Sequence, residues 1–224
     1  PYVIAVTKPL PDDLMDKFEP AIDGTLSAYR DILDFQVEEM AAKLAEEEGG
    51  AEKAEEIRAL ADEFGTLLSM EGLRNAGFER DSLFALYGDG LLPVMRLALT
   101  DQDSFEATVA RIEAKSSEKF MVGELGRETY RYRDFDKFRL IIATPGKDVV
   151  VTLVPASYSD ERLEQTLGLD KPRNNLYRSK ALRKIASEYG FTDHFVSFVD
   201  VERVAASFLG DPGGLNAELL SIIE

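Results

Sequence analysis

The sequence predicts an α+β fold, with a mostly antiparallel sheet, helices packed on one face, and an acidic helical hairpin after the first strand. Three observations support this class. Apolar residues recur every three or four positions between residues 22 and 68, as on one face of a helix. Four short stretches of strand character follow one another between residues 120 and 155. The turns between them are too short for a parallel crossover, so these strands should run antiparallel.

The chain opens with a predicted strand, residues 1–8, centred on the apolar run Tyr2–Val6. The hairpin is expected over residues 12–78. Its first apolar stripe consists of Ile22, Leu26, Tyr29, Leu33, Val37, Met40 and Leu44. Gly49 and Gly50 interrupt the pattern. A second stripe then follows at Ala54, Ile57, Ala61, Phe64 and Leu68. The two stripes are expected to close against each other.

The region 82–224 is expected to supply most of the sheet. Two strands are predicted within Leu83–Tyr87 and Leu91–Leu99, followed by a helix that opens at Asp103 or Ser104. The next four predicted strands are Phe120–Leu125, Glu128–Arg133, Phe138–Thr144 and Val149–Pro155.

The last part of the chain alternates helices with one strand. The predicted helices are Ser159–Leu167 and Leu176–Tyr189, the second ending at Gly190. A strand is predicted over Phe195–Val199, and further helices follow Asp200 and Asn216.

We expect residues 1–224 to form a single compact unit in which the hairpin is an insertion. The length suits one large domain or two small ones. Because Tyr2–Val6 is apolar on both faces, it should join the sheet. Pro1 is not an initiator methionine, and the last predicted helix has barely two turns before Glu224. The natural chain is therefore expected to extend beyond both ends.

Composition excludes several classes of function. The 26 basic and 42 acidic residues give a net charge of −16, which argues against a nucleic-acid binder. The absence of cysteine excludes disulfides, thiolate zinc sites and cysteine nucleophiles. No apolar run approaches the ~20 residues of a membrane span. Phosphate-binding glycine motifs are also missing, and the sequence predicts no metal and no cofactor.

The acidic residues are concentrated in the first part of the chain. Residues 1–65 hold 17 acidic and 6 basic residues, a net charge of −11. A solvated outer face of the hairpin is the favoured interpretation. A surface for a divalent cation or a basic partner is the alternative, although no EF-hand spacing is present.

His194 is the first catalytic candidate, because histidine titrates near neutral pH and Asp193 could orient it. Both residues lie in a predicted connection from a helix to a strand, where polar residues are common, and a structural role is favoured. The 42 acidic residues also leave paired-carboxylate hydrolysis open.

Two basic clusters remain. The first, interleaved with tyrosine and phenylalanine, consists of Arg127, Arg131, Arg133, Lys137 and Arg139. Pairing of these arginines with carboxylates is favoured over anion binding. The second holds six basic residues in fourteen positions without an acidic one: Lys171, Arg173, Arg178, Lys180, Arg183 and Lys184. It predicts contact with anionic lipid headgroups, a glycan or an acidic partner; pairing with the acidic hairpin is the favoured alternative.

Three segments resemble an uncharacterised family of exported bacterial proteins. They are Pro1–Ala5, the run from Leu91 through Glu113, and Phe208–Asn216. In that family a signal peptide, often with a lipoprotein cysteine and a polar linker, precedes a similar first strand. The resemblance implies a periplasmic or outer-membrane-anchored location and supplies no catalytic residues.

These observations lead to one functional hypothesis and two alternatives. The leading one is a non-catalytic cell-envelope protein that acts as a binding or interaction module, with an anionic envelope component or a protein as partner. The first alternative is a hydrolase that uses carboxylates or His194 with Asp193. The second is a carrier of lipid or a small apolar ligand, which needs a cavity between sheet and helices.

Overall fold

A computed structural model describes residues 2–47, 49–170, 180, 184, 187–190 and 194–202. It confirms the predicted α+β class. In chain order the elements are β1 (Tyr2–Val6), α1 (Asp12–Ala45), α2 (Gly50–Leu67), α3 (Met70–Asn75), β2 (Phe84–Asp89), β3 (Leu92–Ala98), α4 (Gln102–Lys115), β4 (Met121–Leu125), β5 (Glu128–Phe135), β6 (Phe138–Ala143), β7 (Asp148–Pro155), α5 (Asp160–Leu167) and β8 (Phe195–Val199).

The strands form one sheet in the order β4-β5-β6-β7-β3-β2-β1-β8. β1 pairs antiparallel with both β2 and β8, so that Val3 lies opposite Tyr87 on one side and Phe198 on the other. The predicted entry of the first strand into the sheet is confirmed. β5, β6 and β7 also pair antiparallel, as their short connections require.

α5 packs on one face of this sheet. Its residues Leu163 and Leu167 share a buried cluster with Val94, Ile141 and Val150. The Ser159 side chain caps the helix by accepting a hydrogen bond from the Arg162 backbone amide, and Gly168 ends it at φ +75°. The sequence prediction of a helix entered through Ser159 is confirmed.

The chain divides into two compact units. The sheet unit holds residues 1–8, 83–97 and 122–224, and the hairpin unit holds residues 9–82 and 98–121. The single compact unit expected from the sequence stays a prediction.

Within the hairpin unit, α1 and α2 form the predicted helical hairpin, and α4 packs against α2. Arg111 of α4 binds Glu63 of α2 across 2.7 Å. The Ser117 amide, just after α4, donates to Glu56 across 2.7 Å. α4 therefore belongs by its contacts to the same unit as the hairpin.

Two further results concern the predicted helices. None of the helices in the described part combines the length and the apolar character that crossing a bilayer needs. Most of the helix predicted over Leu176–Tyr189 lies outside the described residues, and so does the helix predicted after Asn216.

Candidate functional site

The most unusual surface is an exposed apolar face on α1. Seven large apolar side chains of this 34-residue helix are between 37% and 71% exposed. At 100° per residue they fall within an arc of roughly 140° on the helix surface. We call this set the apolar face: Leu14, Phe18, Ile22, Tyr29, Ile32, Phe35 and Met40.

The adjoining side of α1 is the one that is covered. Met15, Val37 and Ala41 are buried there, and Leu26, Leu33 and Leu44 are half-buried. α2, the main neighbour of α1, buries only small residues: Gly50, Ala54, Ala61 and Gly65. Small side chains let two helices approach closely, and the large residues Ile57, Leu60 and Leu67 of α2 are only partly buried. The apolar arc of α1 is therefore wider than the part that is buried.

The exposed face differs from the apolar stripe that the sequence predicted for the hairpin. The stripe predicted to close on α2 is split, because Ile22, Tyr29 and Met40 are exposed while the other four members point inward. Phe64 of the second stripe is also exposed. The expectation that the two stripes close against each other is wrong for these four residues.

The apolar face belongs to the acidic unit. Residues 9–82 and 98–121 hold 25 acidic and 10 basic residues, a net charge of −15. The sheet unit holds 17 acidic and 16 basic residues, a net charge of −1. Almost all of the net negative charge of the chain therefore lies in the hairpin unit, which also carries the apolar face.

Some of these acidic side chains have arginine partners within the same unit. Arg58 binds Glu38 through Nε at 3.0 Å and Nη2 at 3.2 Å, which links α2 to α1. Arg74 binds Glu19 across 2.9 Å. These pairs, with Arg80 on Glu19 and Arg111 on Glu63, supply intramolecular partners for the hairpin.

A polar cluster in the sheet unit joins α5 to the end of β2. Asp89 accepts hydrogen bonds from Thr166 Oγ1 at 2.8 Å and from the Arg162 guanidinium. That guanidinium lies 5.7 Å from the centre of the Tyr158 ring. Burial, with the nearby Asp89 charge, raises the pKa of Tyr158 above its ordinary value. Because the members bind one another, the cluster acts as an anchor for α5.

No local sequence pattern indicates this anchor. Asp89 and Thr166 are 77 positions apart, and each is an ordinary residue in its own segment. Only the placement of α5 over the end of β2 brings them together.

A shallow cleft lies beside α5, lined by Leu125, Tyr130, Ala143 and Leu167 among others. Its volume is about 10 Å³, room for one water molecule at most. Ligand pockets usually hold several hundred Å³. The cleft therefore gives no support to the carrier alternative.

In the first basic cluster, Arg139 has both a carboxylate and an aromatic partner. Arg139 donates to Asp134 through Nε at 2.7 Å and Nη2 at 3.1 Å. Its guanidinium also lies 4.1 Å from the centre of the Tyr132 ring. The hydrogen bonds from Arg139 lower the pKa of Asp134. For Arg139 the predicted pairing with a carboxylate is confirmed.

His194 is half-buried directly before β8. Its carbonyl oxygen accepts a hydrogen bond from the Thr7 amide at 2.9 Å, next to the pairing of β1 with β8. This backbone role is structural. Asp193 lies outside the described residues, so a catalytic pair of these side chains stays a prediction.

The second basic cluster is described at two positions. Lys180 and Lys184 are exposed, and the Lys184 amide donates to the Lys180 carbonyl oxygen at 2.9 Å. The other four members, Lys171, Arg173, Arg178 and Arg183, lie outside the described residues. Contact of this cluster with an anion or a partner stays a prediction.

Within the ranges that the structure describes, no three histidine, aspartate or glutamate side chains converge as a metal site requires. Comparisons of the chain with protein-family models, curated proteins and solved structures find no match. The resemblance to exported bacterial proteins therefore stays an expectation.

Proposed function

We propose that this protein is a non-catalytic bacterial cell-envelope protein whose helical hairpin binds another macromolecule. The observation that carries the proposal is the apolar face of α1. Its seven side chains are the large apolar residues that α2 leaves uncovered.

The size of this surface supports an interaction role. At about 200 Å² for a fully exposed large side chain, the exposed fractions leave roughly 700 Å² of these residues in contact with water. The largest apolar patch of a typical monomer covers roughly 300–600 Å² and is often functional. Burial of such a surface by a partner would be favourable by roughly 25 cal/mol for each Å².

The envelope location rests on the resemblance of Pro1–Ala5 and the other two segments to exported proteins. Fractionation of cells that express the natural gene tests it. We expect the protein in the periplasmic or outer-membrane fraction. Recovery with the cytosolic markers would contradict this part of the proposal and leave the interaction role standing.

Site-specific photo-crosslinking in living cells tests the interaction role. A photoreactive phenylalanine analogue is placed at Phe18 or Phe35 of the apolar face, and at Phe135 as the matched control. Phe135 is also an exposed phenylalanine but belongs to the sheet unit. We expect discrete adducts from the first two positions and none from the control. Absence of adducts from Phe18 and Phe35, or equal yields from all three, would refute the proposal.

A further inference from the structure

We infer that the macromolecule bound by the apolar face is a second copy of this chain, paired antiparallel along α1. This inference rests on the proposed function and names the partner. The two α1 helices would lie side by side between the two α2 helices and form a four-helix arrangement.

The area is sufficient for a dimer. The apolar face exposes roughly 700 Å², and a standard protein–protein interface buries about 800 Å² on each partner. Lys17 at the edge of the arc and Glu39, which lies within the arc and pairs with Lys43 across 2.7 Å, supply the remainder. α1 has 34 residues, so it extends over about 51 Å and spreads the contact along a long seam.

The order of the side chains suits a two-fold axis. An interface between identical copies is self-complementary, so where residue i contacts residue j of the other copy, residue j also contacts residue i. With the axis near residue 27, Leu14 lies level with Met40 of the other copy, and Ile22 lies level with Ile32. Phe18 falls one position from Phe35. Large side chains therefore lie at similar levels along the seam on both sides of the axis.

The middle of the face is formed mainly by small residues. Ala21, Thr25 and Ala28 lie in the same arc as the large side chains, and all three are exposed. Near a two-fold axis the two backbones come closest, and small side chains permit that approach. Tyr29 is the one large residue there, and it would pack over the small residues of the other copy.

The charge predicts how this dimer depends on salt. Each hairpin unit has a net charge of −15, so two copies repel each other. Salt screens that repulsion, with a Debye length of about 8 Å at physiological ionic strength. Self-association should therefore strengthen as salt is added. Binding of a basic partner to the same face would weaken instead, since salt would then screen an attraction.

Sedimentation equilibrium of the purified full chain tests the oligomeric state. We expect a monomer–dimer equilibrium that shifts toward dimer between low and moderate salt. Phe35→Glu should weaken the dimer by at least about tenfold, because it places a carboxylate in the seam. Phe135→Glu, the matched control in the sheet unit, should leave it unchanged. Far-ultraviolet circular dichroism verifies that both variants fold.

Introduced cysteines test the antiparallel arrangement, since the chain has none of its own. Ala28→Cys, near the axis, should form a disulfide with its own copy under mild oxidation. Leu14→Cys should not, because its symmetry mate lies about 39 Å away along the helix. A mixture of Leu14→Cys and Met40→Cys chains should yield the mixed dimer.

Several outcomes would overturn the inference. The first is a chain that stays monomeric at all protein and salt concentrations. The second is a dimer whose stability is unchanged by Phe35→Glu. The third is a disulfide-linked dimer of Leu14→Cys chains. Photo-adducts from Phe18 and Phe35 whose mass differs from two copies of the chain would refute the second copy and retain the proposed function. Absence of adducts with a monomeric chain would refute both.

Discussion

Arg96 and Asp148 form an ion pair in which Nη1 of the arginine lies 2.7 Å from Oδ2 of the aspartate. The pair joins β3 to β7, which are neighbours in the sheet. Nη2 of the same guanidinium donates to the Leu167 carbonyl oxygen at 2.6 Å. This carbonyl belongs to the last turn of α5, where backbone acceptors lack helical partners and a positive charge is favourable. One side chain therefore links two strands to the helix that covers them.

Replacement of Arg96 by methionine should destabilise the sheet unit. The apolar stem is largely kept, but Asp148 and the Leu167 carbonyl lose their donor. We expect the free energy of unfolding to fall by about 1–3 kcal/mol. Urea denaturation followed by circular dichroism measures this change. Lys147→Met, an exposed position in the turn before β7, is the control and should stay within about 0.5 kcal/mol of the wild type. Equal effects of the two variants would show that the Arg96 contacts contribute nothing.

A side chain at Gly168 should be costlier than one at other turn glycines, for a reason that also involves Arg96. A Cβ atom there would lie 2.6 Å from Arg96 Nη2, and the residue has φ +75°. Gly146 has φ +67° but nothing within 4 Å of its Cβ position. Gly146→Ala should cost about 1–2 kcal/mol from the backbone alone, and Gly168→Ala about 1–3 kcal/mol more.

A double-mutant cycle separates the two causes in Gly168→Ala. In an Arg96→Met background the extra cost should disappear, and Gly168→Ala should then resemble Gly146→Ala. Thermal or urea unfolding of the four chains measures the coupling. Purely additive effects would contradict the proposed contact.

Local patterns were enough to predict most of the elements. The β5–β6–β7 segment follows from short apolar stretches separated by turn residues, and Ser159 marks the start of α5 correctly. Some element boundaries differ from the prediction. The strand predicted over Glu128–Arg133 continues to Phe135 as β5, and Asp136, at φ +49°, turns the chain.

The exposed apolar face of α1 could not be predicted from the sequence. Periodicity shows which residues share one side of a helix, but it does not show how much of that side the neighbouring helix covers. Ile22 and Leu26 are both members of one stripe, yet only Leu26 is turned inward. The deciding residues are on α2, where Ala54, Ala61 and Gly65 provide a narrow contact. The Asp89–Thr166 anchor was missed for a similar reason, since it depends on long-range placement.

The Asp134–Arg139 pair predicts a specific response to pH. Arg139 holds the pKa of Asp134 below its ordinary value of 3.8. A carboxyl group of this kind stabilises the fold above pH 3.8, and its contribution is lost as the pH falls through the lower, folded pKa. Arg139→Gln should therefore raise the pKa of Asp134 toward 3.8. The pKa of Asp134 is measured by following the chemical shift of its side-chain carboxyl carbon in a nuclear magnetic resonance pH titration.

Lys137→Gln is the control for this titration. It removes a neighbouring positive charge from the same hairpin and keeps both hydrogen bonds from Arg139. The pKa of Asp134 should then stay low. If Lys137→Gln raises it as much as Arg139→Gln does, the general charge of the hairpin rather than the bidentate contact is responsible.

Pro20 predicts a stabilising substitution. It lies inside α1, which continues from Asp12 to Ala45. A proline there has no amide hydrogen to donate to the Asp16 carbonyl, and its ring crowds the preceding turn, at a cost of about 3 kcal/mol relative to alanine. Pro20→Ala should therefore raise the free energy of unfolding by about 1–3 kcal/mol.

Urea denaturation measures the effect of Pro20→Ala, and Pro11→Ala is its control. Pro11 precedes α1 with φ −54°, a backbone angle that suits proline, and no helical hydrogen bond is lost there. Pro11→Ala should give no stabilisation, because it only adds freedom to the unfolded chain. A Pro20→Ala variant no more stable than Pro11→Ala would mean that α1 is interrupted at Pro20. An interrupted α1 would also break the seam between Phe18 and Ile22 that the antiparallel dimer requires.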